Sequence, residues 1–311
     1  MADPPTYGQS EPRPPRATRL GILALVGPLT AFSLMNLIVK VTHLPPPAFA
    51  FYRLWLGVLV MFAALKVTGR RLSWVDLRRS APSGVLFGAN IALYFTALRL
   101  TNIADVLIVA ALQPTLTLIV AGRLFGERVE TRDWALTSVS LIGVVLVILG
   151  SSGSPAWSLR GDLFAVGALF AWTTYWLLSK RVRVDLPAFE YMASVTLVAA
   201  VVISPLALLS GQSLHLRPHD ALWLVVFVAG AQGGHTLLAW SHAQVDVSVS
   251  SLLILIEPVV SPVAALIFLG EPLPALSIAG GLVTVAAVGA VIRRATRMAQ
   301  PDSIPPEIAP A

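Results

Sequence analysis

The sequence predicts an all-α integral membrane protein with ten transmembrane helices, arranged as two inverted five-helix repeats. Hydrophobic residues make up 56% of the 311 residues and charged residues only 12%, with a mean hydropathy of +0.78, which is far from the composition of a soluble domain. Apolar residues also fill one segment after another of roughly 20 residues, the length of helix that crosses a hydrocarbon layer of about 30 Å. An internal repeat, described below, predicts the two-part arrangement.

The apolar segments define the predicted spans in order along the chain. They cover residues 20–41, 46–66, 81–98, 103–124, 132–150, 161–179, 188–209, 220–240, 247–269 and 273–292. Residues 1–19 contain five prolines and three arginines, so they are predicted to form a disordered cytoplasmic tail rather than a signal peptide. The first repeat is then residues 20–150, the second is residues 160–292, and residues 293–311 form a second cytoplasmic tail.

Basic residues predict how the spans are oriented. One face of the bundle carries Arg13, Arg16, Arg19, Lys66, Arg70, Arg71, Arg78, Arg79, Arg123, Arg128, Arg132, Lys180, Arg181, Arg183, Arg293, Arg294 and Arg297. The other face has Arg99, Arg160 and Arg217, with Lys40 near the end of its span. Because cationic loops resist translocation, both termini are predicted to lie in the cytoplasm. The protein itself is predicted to lie in a bacterial cell membrane.

Two segments of the chain repeat each other at a constant offset. ALQPTLTLIVAGRLFGE, residues 111–127, aligns with LIEPVVSPVAALIFLGE, residues 255–271, so that Pro114 matches Pro258 and Gly126 matches Gly270. Both pairs are 144 positions apart in the chain, because 258 − 114 and 270 − 126 each give 144. A unit of five helices, an odd number, enters the membrane the second time from the opposite face. Chance similarity between apolar segments is the competing interpretation.

Several short motifs resemble the drug/metabolite transporter superfamily, specifically its EamA family. The resemblance rests on Tyr94-Phe95-Thr96-Ala97-Leu98 followed by Ala104, on Pro114, on Gly126-Glu127, on Leu255-Ile256-Glu257-Pro258-Val259 and on Gly270-Glu271. It covers roughly residues 20–292 and implies export or exchange of amino acids, metabolites or toxic compounds through a central cavity. The chain departs from the family in its first span, where Phe32-Ser33 stands in place of a frequent Trp-Gly pair.

Glu257 is the first candidate functional residue. It lies near the middle of its predicted span, where an ionised carboxylate costs on the order of 3 kcal/mol. One interpretation is a transport role, in which Glu257 takes up a proton or binds a cationic group of the solute. The other is structural, because Pro258 removes a backbone donor and the Glu257 side chain could cap the resulting kink. Gln113 is its uncharged repeat partner, and Pro114 is predicted to kink the fourth span as Pro258 kinks the ninth.

Other polar and aromatic residues inside the spans are candidates for binding or coupling. Arg53 either reaches the outer headgroups or binds a carboxylate of a solute or of a neighbouring helix. Asn90 and Tyr94 share one helical face, and His235 and Trp240 form a second polar stripe that helix packing alone could explain. Trp172 and Tyr175 are expected either to pack in the core or to stack on an aromatic or cationic ligand.

Motifs for other chemistry are missing from the sequence. There is no phosphate-binding glycine loop, no metal-ligand spacing and no nucleophile motif, so no catalytic residue, metal or cofactor is predicted. The chain has no cysteine, and its net charge of +6 lies in loops, so nucleic acid is not an expected partner. The expected partners are the lipid bilayer, a small-molecule substrate and protons as coupling ion.

The predicted function is secondary transport of a small organic solute by alternating access, with efflux favoured. Amino acids, metabolites and drug-like compounds are the candidate solutes. A carrier of the same fold that performs uptake or exchange is the alternative. An intramembrane lipid-modifying enzyme is a weaker alternative, because it would need clustered acids or histidines near one leaflet.

Overall fold

The protein is a bundle of α-helices. The computed structural model describes residues 15–101, 103–127, 129–151, 158–270 and 272–298. The helices are α1 (Pro15–Val41), α2 (Pro46–Val67), α3 (Trp74–Leu100), α4 (Ile103–Ala110), α5 (Gln113–Phe125), α6 (Thr131–Ser151), α7 (Leu159–Val182), α8 (Ala188–Leu209), α9 (Pro218–His242), α10 (Val247–Leu253), α11 (Glu257–Leu269) and α12 (Ala275–Met298). A 3-10 helix, Ile254–Ile256, joins α10 to α11, and the described residues contain no strand.

Eight helical segments of the described chain are long and apolar enough to cross a membrane, which makes the protein a multi-pass membrane protein. They are Pro46–Val67, Asp105–Phe125, Thr131–Gly150, Leu159–Val182, Ala188–Leu209, Pro218–His242, Val247–Phe268 and Ala275–Arg294. A shorter apolar stretch, Leu20–Met35, lies in α1. Helix α3 contains the predicted third span, but its first turns carry Asp76, Arg78 and Arg79, which lower its hydropathy.

The predicted spans and the observed helices differ at several boundaries. Helix α1 begins at Pro15, inside the predicted tail, and α12 continues to Met298, six residues past the predicted end (298 − 292). The start of α3 is fixed by Ser73, whose side chain accepts the Asp76 amide while Asp76 accepts the Ser73 amide. This capping box satisfies two backbone donors that an earlier or later start would leave open.

Two predicted spans are each divided into shorter helices. The fourth divides into α4 and α5 at Ala111-Leu112, and the ninth divides into α10, the 3-10 helix and α11. Helices α5 and α11 both begin with a polar residue followed by proline, Gln113-Pro114 and Glu257-Pro258. Proline has no backbone N–H to donate, so it is tolerated in the first turn of a helix and disfavoured further inside.

Helices from the two halves of the chain pack against each other. The main pairs are α1 with α9, α2 with α8, α3 with α7 and α8, and α6 with α12. Large apolar side chains such as Leu59, Phe170 and Phe268 point outward, as expected for a surface that meets lipid. Between helices in lipid the hydrophobic effect is weak, so close van der Waals packing must hold the bundle together.

Glycines at the contact between α6 and α12 allow the backbones to approach closely. A Cβ atom on Gly143 would lie 2.3 Å from the Thr284 Oγ1 and 2.7 Å from the Gly280 carbonyl oxygen. A Cβ on Gly280 would lie 2.5 Å from the Gly143 carbonyl oxygen. Neither position can hold a larger residue without separating the two helices.

Candidate functional site

Arg53 on α2 lies in the interior of the bundle. Its guanidinium carbon lies 5.4 Å from the centre of the Phe227 ring and 5.9 Å from that of Phe87. Its Nη2 atom lies 3.4 Å from the Nε2 of His235. Within the described residues no carboxylate lies within ion-pair distance of Arg53. Among the described residues, the cation is therefore stabilised by two aromatic faces.

Aromatic rings from three helices surround His235 of α9. Phe32 of α1 lies 4.7 Å away, Phe87 of α3 lies 5.1 Å away and Trp172 of α7 lies 6.4 Å away, all between ring centres. Trp172 also stacks on Tyr175 at 5.2 Å. We call Arg53, His235, Phe32, Phe87, Trp172 and Tyr175 the central cluster.

The structure thus brings together four of the residues singled out in the sequence: Arg53, His235, Trp172 and Tyr175. Tyr175 is fully buried, and the His235 Nδ1 is buried without a hydrogen-bond partner among the described residues. A buried polar atom of this kind loses the free energy of a hydrogen bond unless another molecule supplies it.

A small cavity adjoins the central cluster. It has a volume of about 10 Å³ and is lined by Arg53, Leu54, Phe87, Phe227, Val228, Ala231, Gln232 and His235. That volume is close to the room needed by one water molecule, whereas ligand sites usually occupy roughly 300–1,000 Å³. The cavity is therefore too small to hold an organic solute in this structure.

Glu257 lies in a second polar region, beside the central cluster. It is the first residue of α11, is half-buried, and interacts electrostatically with Tyr94 of α3. Its backbone carbonyl accepts a hydrogen bond from the Ser33 hydroxyl of α1 at 3.4 Å. Because Phe32, the neighbour of Ser33, contacts His235, α1 connects the two regions.

Three further predicted residues lie outside these contacts. Asn90 donates from Nδ2 to the Ala168 carbonyl at 3.0 Å, which ties α3 to α7. Gln113 is buried and donates to the Thr117 hydroxyl one turn along its own helix, at 3.2 Å, while its Oε1 has no partner in the described chain. Trp240 is half-buried near the end of α9, five residues beyond His235 (240 − 235).

A buried ion pair lies at the face that carries most of the basic residues. Glu127, just after α5, accepts hydrogen bonds from the Lys180 Nζ of α7 at 2.6 Å and from the Val247 amide of α10 at 2.8 Å. Its other oxygen accepts from the Ser248 amide at 3.1 Å and from the Ser248 hydroxyl at 2.6 Å. Only 5% of the Glu127 side chain and 7% of the Lys180 side chain are exposed. We call these four residues the Glu127–Lys180 cluster.

The electrostatics of this cluster favour the charged form of Glu127. Burial alone would raise the pKa of its carboxyl group, but the Lys180 ammonium and the hydrogen bonds from Lys180, Ser248 and Val247 together hold that pKa below its ordinary value. The carboxylate also caps the positive end of α10. One side chain therefore joins the ends of α5 and α7 to the start of α10.

The partners of Glu127 could not be found from the sequence. Glu127 and Lys180 are 53 positions apart in the chain, and no spacing rule links them. Sequence reasoning also could not find the rings around the Arg53–His235 pair, which belong to Phe32, Phe87 and Phe227. An apolar residue in an apolar span does not differ from its neighbours in any way that the sequence shows. Glu271, the repeat counterpart of Glu127, lies outside the described residues.

The chain matches the EamA-like transporter family over residues 19–149 and 159–293. It is 27% identical over 183 residues to the pseudopaline exporter CntI of Pseudomonas aeruginosa, a match that covers 58% of this chain and 64% of the exporter. The match thus spans less than two thirds of that relative's length.

A second relative matches over nearly its full length. The chain is 25% identical over 299 residues to a protein of Salmonella typhimurium named as a probable amino-acid metabolite efflux pump, covering 89% of this chain and 98% of that one. One solved crystal structure superposes with a TM-score of 0.75 at 21% identity, over 90% of this chain and 98% of the other. That likeness shows the shared fold alone. The family match over most of the chain establishes that it belongs to the EamA-like transporter family.

Proposed function

We propose that this transporter exports a small carboxylate-bearing solute, such as an amino acid or a related metabolite, across the bacterial cytoplasmic membrane by alternating access. Arg53 binds the carboxylate, and the rings of the central cluster contact the rest of the solute. The observation that carries this proposal is the position of Arg53: inside the bundle, between two aromatic faces, and without a carboxylate partner in the described part of the chain. The names of the two relatives, an exporter and an efflux pump, support the direction.

Alternating access requires two halves that can pack in two equivalent ways. We propose ten spans in two inverted repeats, residues 20–150 and 160–292, with both tails in the cytoplasm. The helix pairing supports this arrangement. In the proposed repeat, α7 is the counterpart of α1 and α9 is the counterpart of α3. The contact between α1 and α9 therefore corresponds to the contact between α7 and α3, and both contacts are present. Pairs α2 with α8 and α6 with α12 each map onto themselves.

Local backbone geometry supports the same equivalence. Gly126 and Gly270, separated by the repeat offset, both adopt left-handed backbone angles, with φ of 65° and 67°. Each donates its amide to the carbonyl four residues earlier, in Gly122 and Leu266. A residue with a side chain is strained in this conformation, which is why both copies end the helix with glycine.

In this mechanism the Glu127–Lys180 cluster keeps the basic face closed while the central cluster opens to the other side. Breaking the cluster frees the ends of α5 and α7 from the start of α10.

Flux into proteoliposomes tests the proposal. The purified protein is reconstituted and screened with amino acids, each compared with its amide, which lacks the charge that Arg53 binds. We expect the wild type to prefer the acid, and Arg53→Ala to lose at least tenfold in the rate for the acid with little change for the amide. Arg217→Ala removes an exposed arginine at the start of α9 and is the matched control.

The outcomes separate the alternatives. Equal loss for acid and amide in Arg53→Ala would mean that Arg53 holds the fold and does not bind a carboxylate. If cells that express the protein accumulate the solute, the direction is uptake. Flux that needs solute on both sides would indicate exchange.

A further inference from the structure

The face opposite the Glu127–Lys180 cluster carries a group of metal-ligand side chains. His43 follows the end of α1, and His219 and Asp220 stand in the first turn of α9. The Nδ1 atom of His43 lies 3.6 Å from the Asp220 Oδ1, and the Nδ1 of His219 lies 3.7 Å from the same oxygen. One ligand atom from each of the three residues lies within 4.8 Å of the other two. We propose that these three residues bind one divalent transition metal ion, with Zn²⁺ as the best fit.

The distances suit zinc. Zinc binds imidazole nitrogen and carboxylate oxygen at about 2.0–2.2 Å in a tetrahedral arrangement, which separates neighbouring ligand atoms by about 3.4 Å. Two of the observed separations are only a few tenths of an ångström longer. The remaining adjustment is a rotation of the imidazoles, whose side chains are 68% and 60% exposed.

Asp220 is the fixed ligand of the three. Its side chain is only 2% exposed, and its Oδ1 accepts the backbone amide of His43 at 3.1 Å. That hydrogen bond holds the end of α1 beside the start of α9, so the carboxylate and the His43 ring stay in range. Two imidazoles and one carboxylate are ligands that select zinc-like ions over magnesium or calcium. They leave a fourth position for water.

Trp223 provides an optical signal for metal binding. Its indole N–H donates to the Nε2 of His219 at 3.1 Å. Indole can only donate, so Nε2 is unprotonated and the ring proton of neutral His219 is on Nδ1, facing Asp220. When Nδ1 binds the metal, that proton must move to Nε2, and the hydrogen bond from Trp223 breaks. Metal binding therefore changes the emission of Trp223.

Zinc titration of the purified full-length protein, with affinity tags removed, tests the site. We expect one Zn²⁺ per chain by equilibrium dialysis, and a change in tryptophan emission that saturates at the same stoichiometry and is lost in Trp223→Phe. His43→Ala and His219→Ala should each weaken binding at least tenfold. His215→Ala, which removes an exposed histidine four residues before His219, is the matched control and should bind like the wild type.

The histidine variants are preferred to an Asp220 variant because both rings are exposed, so their loss leaves the fold intact. Thermal unfolding and size-exclusion chromatography confirm this for each variant. Wild-type zinc affinity in both His43→Ala and His219→Ala overturns the proposal, as does the absence of stoichiometric binding to the wild type. Binding is measured without transport, so the result is independent of the function of Arg53.

Discussion

Glu127→Gln removes the charge of the buried ion pair while keeping the shape of the side chain. Lys180 would then keep the Val245 carbonyl at 3.2 Å and the Asp246 carboxylate at 3.6 Å, the latter on a side chain that is 57% exposed. Removing one partner of a buried pair costs about 3–5 kcal/mol. Because Asp246 compensates in part, we expect the lower end, about 3 kcal/mol, which is roughly a 100-fold change in an equilibrium constant.

The absence of cysteine in the chain makes this effect measurable with a single introduced thiol. Ser250 is 1% exposed and lies in α10, the helix that Glu127 caps. In a Ser250→Cys background, Glu127→Gln should raise the rate of labelling by a membrane-impermeant maleimide at least tenfold from the basic face. It should also lower the midpoint of thermal unfolding in detergent.

Glu130→Gln is the matched control for the loss of one negative charge on the same face. Its carboxylate pairs with Arg294 at 2.7 Å, but its side chain is 55% exposed, and exposed pairs contribute little. We expect unchanged labelling and unfolding. If Glu127→Gln behaves like this control in both assays, the cluster does not hold the basic face closed and the reasoning from burial is wrong.

Acid titration, a pH gradient and a packing substitution test three other features of the molecule. The pKa of Glu127 is lowered in the folded protein. Its stabilising effect is therefore present above its ordinary pKa of 4.5 and is lost as the pH falls through the lower folded value. When stability is measured during acid titration, the wild type should show this loss and Glu127→Gln should not. If a pH gradient drives solute flux in proteoliposomes, Glu257→Gln should abolish that dependence, because Glu257 is the carboxylic acid that the sequence predicts near the middle of a span; unchanged dependence would exclude Glu257 as the proton carrier. Gly143→Ala should destabilise the protein by about 1–3 kcal/mol in thermal or denaturant unfolding, because the added Cβ meets Thr284 at 2.3 Å. Gly289→Ala in α12 is the control and should not destabilise the protein, because its added Cβ meets nothing within 4 Å. Equal stability of the two variants would contradict the packing argument.

Much of the architecture could be predicted from the sequence. Helical membrane spans can be recognised in a sequence because lipid offers the backbone no hydrogen-bond partners. Each span must therefore be a long, continuous and apolar helix that satisfies its own backbone groups. The equal offsets of Pro114 from Pro258 and of Gly126 from Gly270 similarly indicate that the two halves of the chain are related. The same signals predicted a transporter, and the family match confirmed it.

The contacts of individual polar residues could be predicted only in part. Arg53, His235, Trp172 and Tyr175 are each notable as polar or aromatic residues in apolar spans, yet their meeting depends on how α2, α7 and α9 are arranged. The pairing of Glu127 with Lys180 depends on the ends of α5 and α7 lying together at one face. Hydropathy indicates whether a helix can lie in lipid, but it does not indicate which helices lie beside one another.

Local composition and repetition along the chain are enough to indicate that the protein crosses a membrane as helices, that its two halves are related and that it resembles a transporter. Helix packing, in contrast, places Arg53 between the rings of Phe87 and Phe227, Glu127 at the start of α10 and His43 beside Asp220. These contacts join residues that are far apart in the chain, and their free energies depend on burial and distance, which helix packing alone sets.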